Sequence, residues 1–166
     1  MRRAIGIAVL AALTVSPLSA DLTTGAARQT APDFKVQDSG GNTVRLSALR
    51  GQVVLLDFWA TWCSPCKLEI PWFMEFQTTH GSKGFAAVGV AMDDEGWENV
   101  KPYLEEHPIN YPIVVGDLPL AKRYGVMALP VTLLIDRKGK IAARHNGLVD
   151  RAAVEIEIQK LLQEKR

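Results

Sequence analysis

The chain contains two cysteines, and they stand close together in Trp62-Cys63-Ser64-Pro65-Cys66. At that separation two sulfurs can close a small disulfide ring when the first lies at the start of a helix. The segment follows a strongly apolar run, Val53-Val54-Leu55-Leu56-Asp57-Phe58-Trp59, and opens a stretch with helical spacing. Cys63 therefore meets the unpaired N–H groups and the positive end of a helix dipole, which favour its thiolate. Cys66 lies a turn further in, is more shielded, and can attack a mixed disulfide formed at Cys63. Pro65 lacks an N–H and stiffens the loop. A structural staple and half of a metal site are the competing uses of such a pair. A staple gains most by closing a long loop, and two cysteines alone cannot complete a four-ligand zinc site. Thiol–disulfide exchange is the favoured reading.

The elements around the pair alternate between strand and helix. Phe34–Gln37 and Thr43–Leu46 flank the turn-rich Asp38-Ser39-Gly40-Gly41-Asn42, which predicts a β-hairpin. Val53–Trp59 is apolar almost throughout, as a strand covered on both faces is. Residues 64–79 carry a helical stripe of Leu68, Trp72 and Phe76 with Phe73 beside it, and Pro71 should kink it. Phe85–Ala91 reads as a second buried strand, 95–107 as a helix on Trp97, Val100 and Leu104, and 111–115 as a short strand. A short helix over 118–124 ends at Gly125. Val131–Ile135 and 140–145 form a hairpin around Asp136-Arg137-Lys138-Gly139. Asp150 can cap a last helix carrying Val154, Ile158, Leu161 and Leu162, although residues 154–158 also alternate like a strand. The fold class is α/β with a mixed central sheet flanked by helices.

The chain has 166 residues, 19 basic and 18 acidic side chains, and a formal charge of +1. That length suits one domain with its own core, and near-neutrality argues against nucleic acid as a partner. Residues 1–20 have the order of an export signal: Arg2 and Arg3, an apolar run to Val15, then Ser16-Pro17-Leu18-Ser19-Ala20. Leu18 is a poor residue near the cut, so an uncleaved membrane anchor is the alternative. Residues 21–31 are small and polar and read as a flexible linker, leaving 32–166 as the folded domain. Export implies a periplasmic setting in which disulfides persist.

Asp57-Phe58-Trp59-Ala60-Thr61-Trp62-Cys63-Ser64-Pro65-Cys66-Lys67 resembles the active-site segment of the thioredoxin superfamily, and Gly125-Val126-Met127-Ala128-Leu129-Pro130-Val131-Thr132 resembles its second signature. With the N-terminal hairpin and leader, the resemblance narrows to the TlpA/ResA/CcmG branch of extracytoplasmic thiol–disulfide oxidoreductases. It implies a thioredoxin-like fold with a helix–strand insertion over residues 95–115. It implies Cys63 as exposed nucleophile, Cys66 as resolving thiol and Pro130 as a cis-proline facing the pair. Leu129 would offer backbone groups to a client strand, with Trp62, Pro65 and Gly147 around the docking groove. Asp57 matches the buried carboxylate of thioredoxin, and Glu69 matches the glutamate of the ResA-like group. Having both departs from either pattern, as does the lack of a lysine in Phe85–Ala91. The implied activity is reduction of protein disulfides by a monomer without a cofactor beyond its own cysteine pair. The clients would be cytochrome c thiols or copper-site proteins, and the electron donor a DsbD/CcdA-like membrane thiol carrier.

Other readings use the same residues differently. A disulfide-donating oxidase or isomerase needs the same cysteines. A copper chaperone could use Cys63, Cys66 and His145, since copper(I) favours thiolate. Ala31-Pro32-Asp33-Phe34 resembles the opening of peroxiredoxins, but their Pro-x-x-x-Thr-x-x-Cys context is missing. His80 and His107 fall at predicted helix ends as surface residues, and His145 ends a strand without a role. Trp72, Phe73 and Phe76 are expected in the core. Glu155, Glu157, Glu164, Lys160 and Lys165 are expected on a solvated helix face.

Overall fold

The computed structural model describes residues 22–25 and 27–164; the leader expected over 1–20 lies outside them. The order is β1 (Lys35–Gln37), β2 (Thr43–Arg45), β3 (Val53–Trp59), α1 (Ser64–His80), β4 (Phe85–Ala91), α2 (Trp97–Glu106), β5 (Ile113–Val115), α3 (Leu118–Arg123), β6 (Val131–Ile135), β7 (Ile141–Asn146) and α4 (Arg151–Gln163). β1 and β2 form the expected antiparallel hairpin. The other five strands make one mixed sheet in the order β5-β4-β3-β6-β7. β3 runs parallel to β4 and β4 to β5, while β6 is antiparallel to both β3 and β7. The helix and strand expected over 95–115 are α2 and β5.

β3 is buried along its whole length because both faces are covered. Its alternate residues feed two separate cores. Val53, Leu55 and Trp59 join the core shared with α1 and α4, which includes Phe73, Phe76, Val154 and Ile158. Val54, Leu56 and Phe58 join the opposite core with Val88, Val90 and Tyr124. Asp57 belongs by alternation to the first face.

Four expectations need correction. The buried stripe of α1 is Cys66, Glu69, Ile70, Phe73, Phe76 and His80, whereas Leu68 is 57% exposed and Trp72 only half-buried. Helical phase is set by what faces the sheet, and two large apolar residues on the outer side misplaced it. His80 is consequently buried rather than a surface residue. Glu157 also leaves the solvated face: it sits on the buried stripe of α4 between Val154 and Ile158. The described residues of the linker expected over 21–31, namely 22–25 and 27–31, are not a free tether. Thr23 N–H donates to Ala142 O, Gln29 O accepts from Ile141 N–H, and the buried Arg28 pairs with Asp136 at 3.1 Å and Glu164 at 2.7 Å. Those bonds fix a segment whose composition alone looks mobile. The helix reading of 154–158 prevails over the strand reading, with Asp150 accepting from Ala153 N–H at 3.0 Å as N-cap.

Among the described residues no helix is long and apolar enough to cross a membrane.

Candidate active site

β3 ends at Trp59, and the chain turns through Ala60, Thr61 and Trp62 into α1. Asp93, buried in the loop after β4, anchors that turn: its carboxylate accepts from Thr61 N–H at 3.1 Å and from the Thr61 hydroxyl. Cys63 is the N-cap of α1, and its Sγ accepts from Cys66 N–H at 3.4 Å. The sulfur therefore occupies the place where the helix presents unpaired donors. Ser64 and Pro65 fill the first helical positions and are exposed. Cys63 and Cys66 are joined as a disulfide with Cα atoms 5.3 Å apart. Cys66 is fully buried and Cys63 is 4% exposed, less open than an exposed nucleophile but the accessible member of the pair.

The Leu129–Pro130 peptide is cis. Val131, the next residue, pairs with Phe58, so Pro130 lies at the end of the sheet from which the cysteine turn departs. Pro130 O accepts from Gly147 N–H at 2.9 Å, and Gly147 has φ +80°, a turn conformation that favours glycine. Met127, Leu129, Pro130, Arg144, Asn146 and Gly147 line an open groove there. Of the residues expected around a docking groove, Leu129 and Gly147 line it. Trp62 and Pro65 do not, although Trp62 is 65% exposed at the cysteine turn and Met127 is 95% exposed on the groove wall.

Two buried carboxyls lie on the same side of the sheet as the pair. Asp57 is fully buried; its Oδ1 receives only a long bond from the Thr132 hydroxyl (3.5 Å), and Oδ2 has no partner. Burial, and then the neighbouring charge of Glu69, push its carboxyl well above the ordinary range. Glu69 is also fully buried; Oε1 accepts from Val149 N–H at 2.6 Å and Oε2 has no partner. Burial pushes its carboxyl up to about 7, against the Val149 bond and the charge of His145, which pull it down. Gly89 is the β4 neighbour of Asp57. A Cβ on Gly89 would sit 2.5 Å from Ile113 Cδ1 and 3.0 Å from Trp59 Nε1, so a side chain there would have to displace Ile113.

Three groups here were not assigned to the site from sequence. His145 is not an idle strand end: its Nε2 lies 2.8 Å from Glu157 Oε2. The signal for Glu157 was an acid within the apolar stripe Val154, Ile158 and Leu161; for His145 it was alternation with the buried Ala143. Asp93 gave no local signal. Among the described residues, no group of three or more His, Cys, Asp or Glu side chains could hold a metal ion.

A disulfide at a helix start, at the sheet end that also carries a cis-proline and with two buried carboxyls on its side of the sheet, is suited to exchange with another disulfide. The sequence matches the AhpC/TSA family over residues 27–144. The chain belongs to the AhpC/TSA family. It is 32% identical over 165 residues to the thiol-disulfide oxidoreductase ResA of Geobacillus thermodenitrificans, covering 97% of this chain and 94% of the relative. It is 33% identical over 125 residues to ResA of Bacillus subtilis, covering 75% and 69%. Among solved structures it is similar to a thiol:disulfide interchange protein DsbE from Chlorobium tepidum, with TM-score 0.77 and 35% identity over 81% of this chain and 96% of that one. This member of the family has the thioredoxin-like fold and is a thiol–disulfide oxidoreductase acting on protein thiols.

Proposed function

We propose that the chain works as a protein-disulfide reductase outside the cytoplasm, with Cys63 as nucleophile and Cys66 as resolving thiol. The observation that carries this reading is the pair of buried carboxyls, Asp57 and Glu69, each driven toward its protonated form with an orphan oxygen. The burial that holds these carboxyls in their neutral form disfavours a thiolate on the buried Cys66 as well. No cationic side chain lies between the cysteines to counter that effect. A thiolate with little stabilisation makes the reduced form a better electron donor.

In the reductive half-cycle the Cys63 thiolate attacks a client disulfide; one client sulfur leaves as thiolate and a Cys63–client bond forms. Cys66 then gives its proton to Glu69 or Asp57, and its sulfur attacks Cys63 Sγ. The Cys63–Cys66 bond forms, the mixed disulfide breaks, and the client departs carrying two electrons. Leu129 and Gly147 present backbone to the client along the groove, while Trp62 and Pro65 border its approach. A membrane dithiol carrier of the DsbD/CcdA kind returns the two electrons. The leader-like order of residues 1–20 supports the extracytoplasmic setting, and the cysteines of cytochrome c or copper-site proteins fit as clients.

The test is the reduction potential, with insulin reduction set against oxidative refolding of a reduced client. A potential well below that of strong oxidants and rapid insulin reduction are expected; a value near the −120 mV or so of a disulfide donor such as DsbA would overturn the direction of electron flow. Cys66→Ser should stall the mixed disulfide, and mass spectrometry of the trapped species distinguishes cytochrome from copper-protein clients.

A further inference from the structure

Four residues form one row across the sheet. Gly89 on β4 pairs with Asp57 on β3, Asp57 with Thr132 on β6, and Thr132 with His145 on β7. Residues paired in this way project from the same face. Here that face is covered by α1, which brings Glu69, and α4, which brings Glu157. The row runs from the fully buried Asp57 and Thr132 to His145, whose side chain keeps 25% of its surface in solvent. The Thr132 hydroxyl donates to Asp57, and Glu157, itself 3% exposed in its side chain, holds His145. Val149, which binds Glu69 Oε1, is three residues beyond the end of β7, so the strand that carries His145 also leads into the loop that fixes Glu69.

The chemistry of the cycle requires such an arrangement. In the resolution step the Cys66 proton passes to a carboxyl that has no exposed surface, and an exit to water frees that carboxyl to accept again. Among the titratable groups on this face, Asp57, Glu69 and Glu157 are acids. Tyr111, ahead of β5, feels Asp57 and Glu69, and burial pushes its hydroxyl, like that of Tyr103 on α2, further from ionisation. His80, on the buried stripe of α1, is 3% exposed, so His145 is the imidazole on this face that also touches water.

We propose that His145, oriented by Glu157, is the proton port of the active site, exchanging with solvent the proton that Glu69 and Asp57 take from Cys66. Glu157 fixes the ring at 2.8 Å, and His145 passes the proton between the buried carboxyl and water. In the reverse half-cycle, when the carrier reduces the disulfide, the proton returns by the same route. His145 is a positioning residue: it acts on the sulfurs only through the carboxyls. The proposal rests on the reading that Cys66 must lose a proton to resolve the mixed disulfide, and it holds for either direction of electron flow.

The test is the pH profile of insulin reduction by the full chain and by His145→Gln, with and without added imidazole. Loss of the nearby cation raises the pH at which Glu69 ionises, so the variant should be about three- to tenfold slower near pH 6, with the difference fading at higher pH as the carboxyl ionises in both. Free imidazole, a mobile substitute for the lost ring, should restore much of the rate in the variant and leave the parent unchanged. Carbon-13 titration of the Glu69 carboxyl should show its midpoint moved upward. Should His145→Gln fail to fold, Glu157→Gln keeps the ring but removes its partner, and a smaller loss in the same pH range is expected. Superimposable pH profiles, or a deficit that is equal at all pH values and indifferent to imidazole, would overturn the proposal. A parent that cannot reduce insulin, yet oxidises a reduced client with the same pH response to His145→Gln, would instead overturn the reductase direction alone.

Discussion

The two faces of the central sheet are built from alternate residues of the same strands, yet they are put to different uses. Toward α3 and the hairpin, β3 presents Val54, Leu56 and Phe58, and β6 presents Val131, Leu133 and Ile135, all apolar. Toward α1 and α4 the same strands present Asp57 and Thr132 between apolar neighbours, and β7 adds His145. The first face follows the rule that burial of apolar surface drives folding. The second gives up part of that gain and accepts carboxyl oxygens without partners. The difference teaches where stability and chemistry are held: one residue along the strand changes which of the two is at stake.

Substitutions on opposite faces should therefore separate. The largest loss of stability is expected from Phe58→Ala, which leaves a cavity against Tyr124 and should cost about 3–5 kcal/mol in denaturant unfolding. The pH dependence of its remaining activity should match that of the parent. A shifted pH optimum would break the comparison. Next comes Asp57→Asn, one residue away. Removing the buried acid should slow resolution of the mixed disulfide by about 10²-fold, followed by stopped-flow fluorescence. Stability at about pH 8 should be equal or higher, since a buried ionisable oxygen without a partner is lost.

The smallest and most diagnostic effect is the pH dependence of stability. The Glu69 carboxyl titrates near 7 in the folded chain, above the value of an unfolded glutamate. Between those values the folded state holds the extra proton, so this group's stabilisation is complete at low pH and is lost as pH rises through 7. Asp57 acts in the same direction. Glu69→Gln, which can keep the Val149 bond, should make the melting temperature less sensitive to pH between about 5 and 8, a change on the order of 1–2 kcal/mol. An unchanged slope would remove Glu69 from the titrating pair.

The parts of the molecule legible from sequence are those whose signal is local. β3 is an unbroken apolar run, the cysteine pair sits at its exit, and Asp150 stands directly before the helix that it caps. What escaped depends on residues far apart in the chain. Glu69 was singled out by likeness to a family, not by its place on α1, because Leu68 and Trp72 offered a plausible stripe on the wrong side. The pairing of His145 with Glu157 joins a strand to a helix across a turn, and neither periodicity contains the partner. Asp93 reaches Thr61 from 32 positions away. Arg28 finds Asp136 and Glu164 at separations of 108 and 136, so no local composition could distinguish its segment from a tether.

That segment has a further consequence. β7 is an edge strand of the sheet, and Thr23 and Gln29 bond its free side, occupying Ala142 O and Ile141 N–H. An outer strand with bare backbone groups is a template for pairing with a neighbouring molecule. The ion pairs of Arg28 thus act as a latch against self-association, and a chain that lost them would keep its redox centre while becoming prone to stack with its own copies.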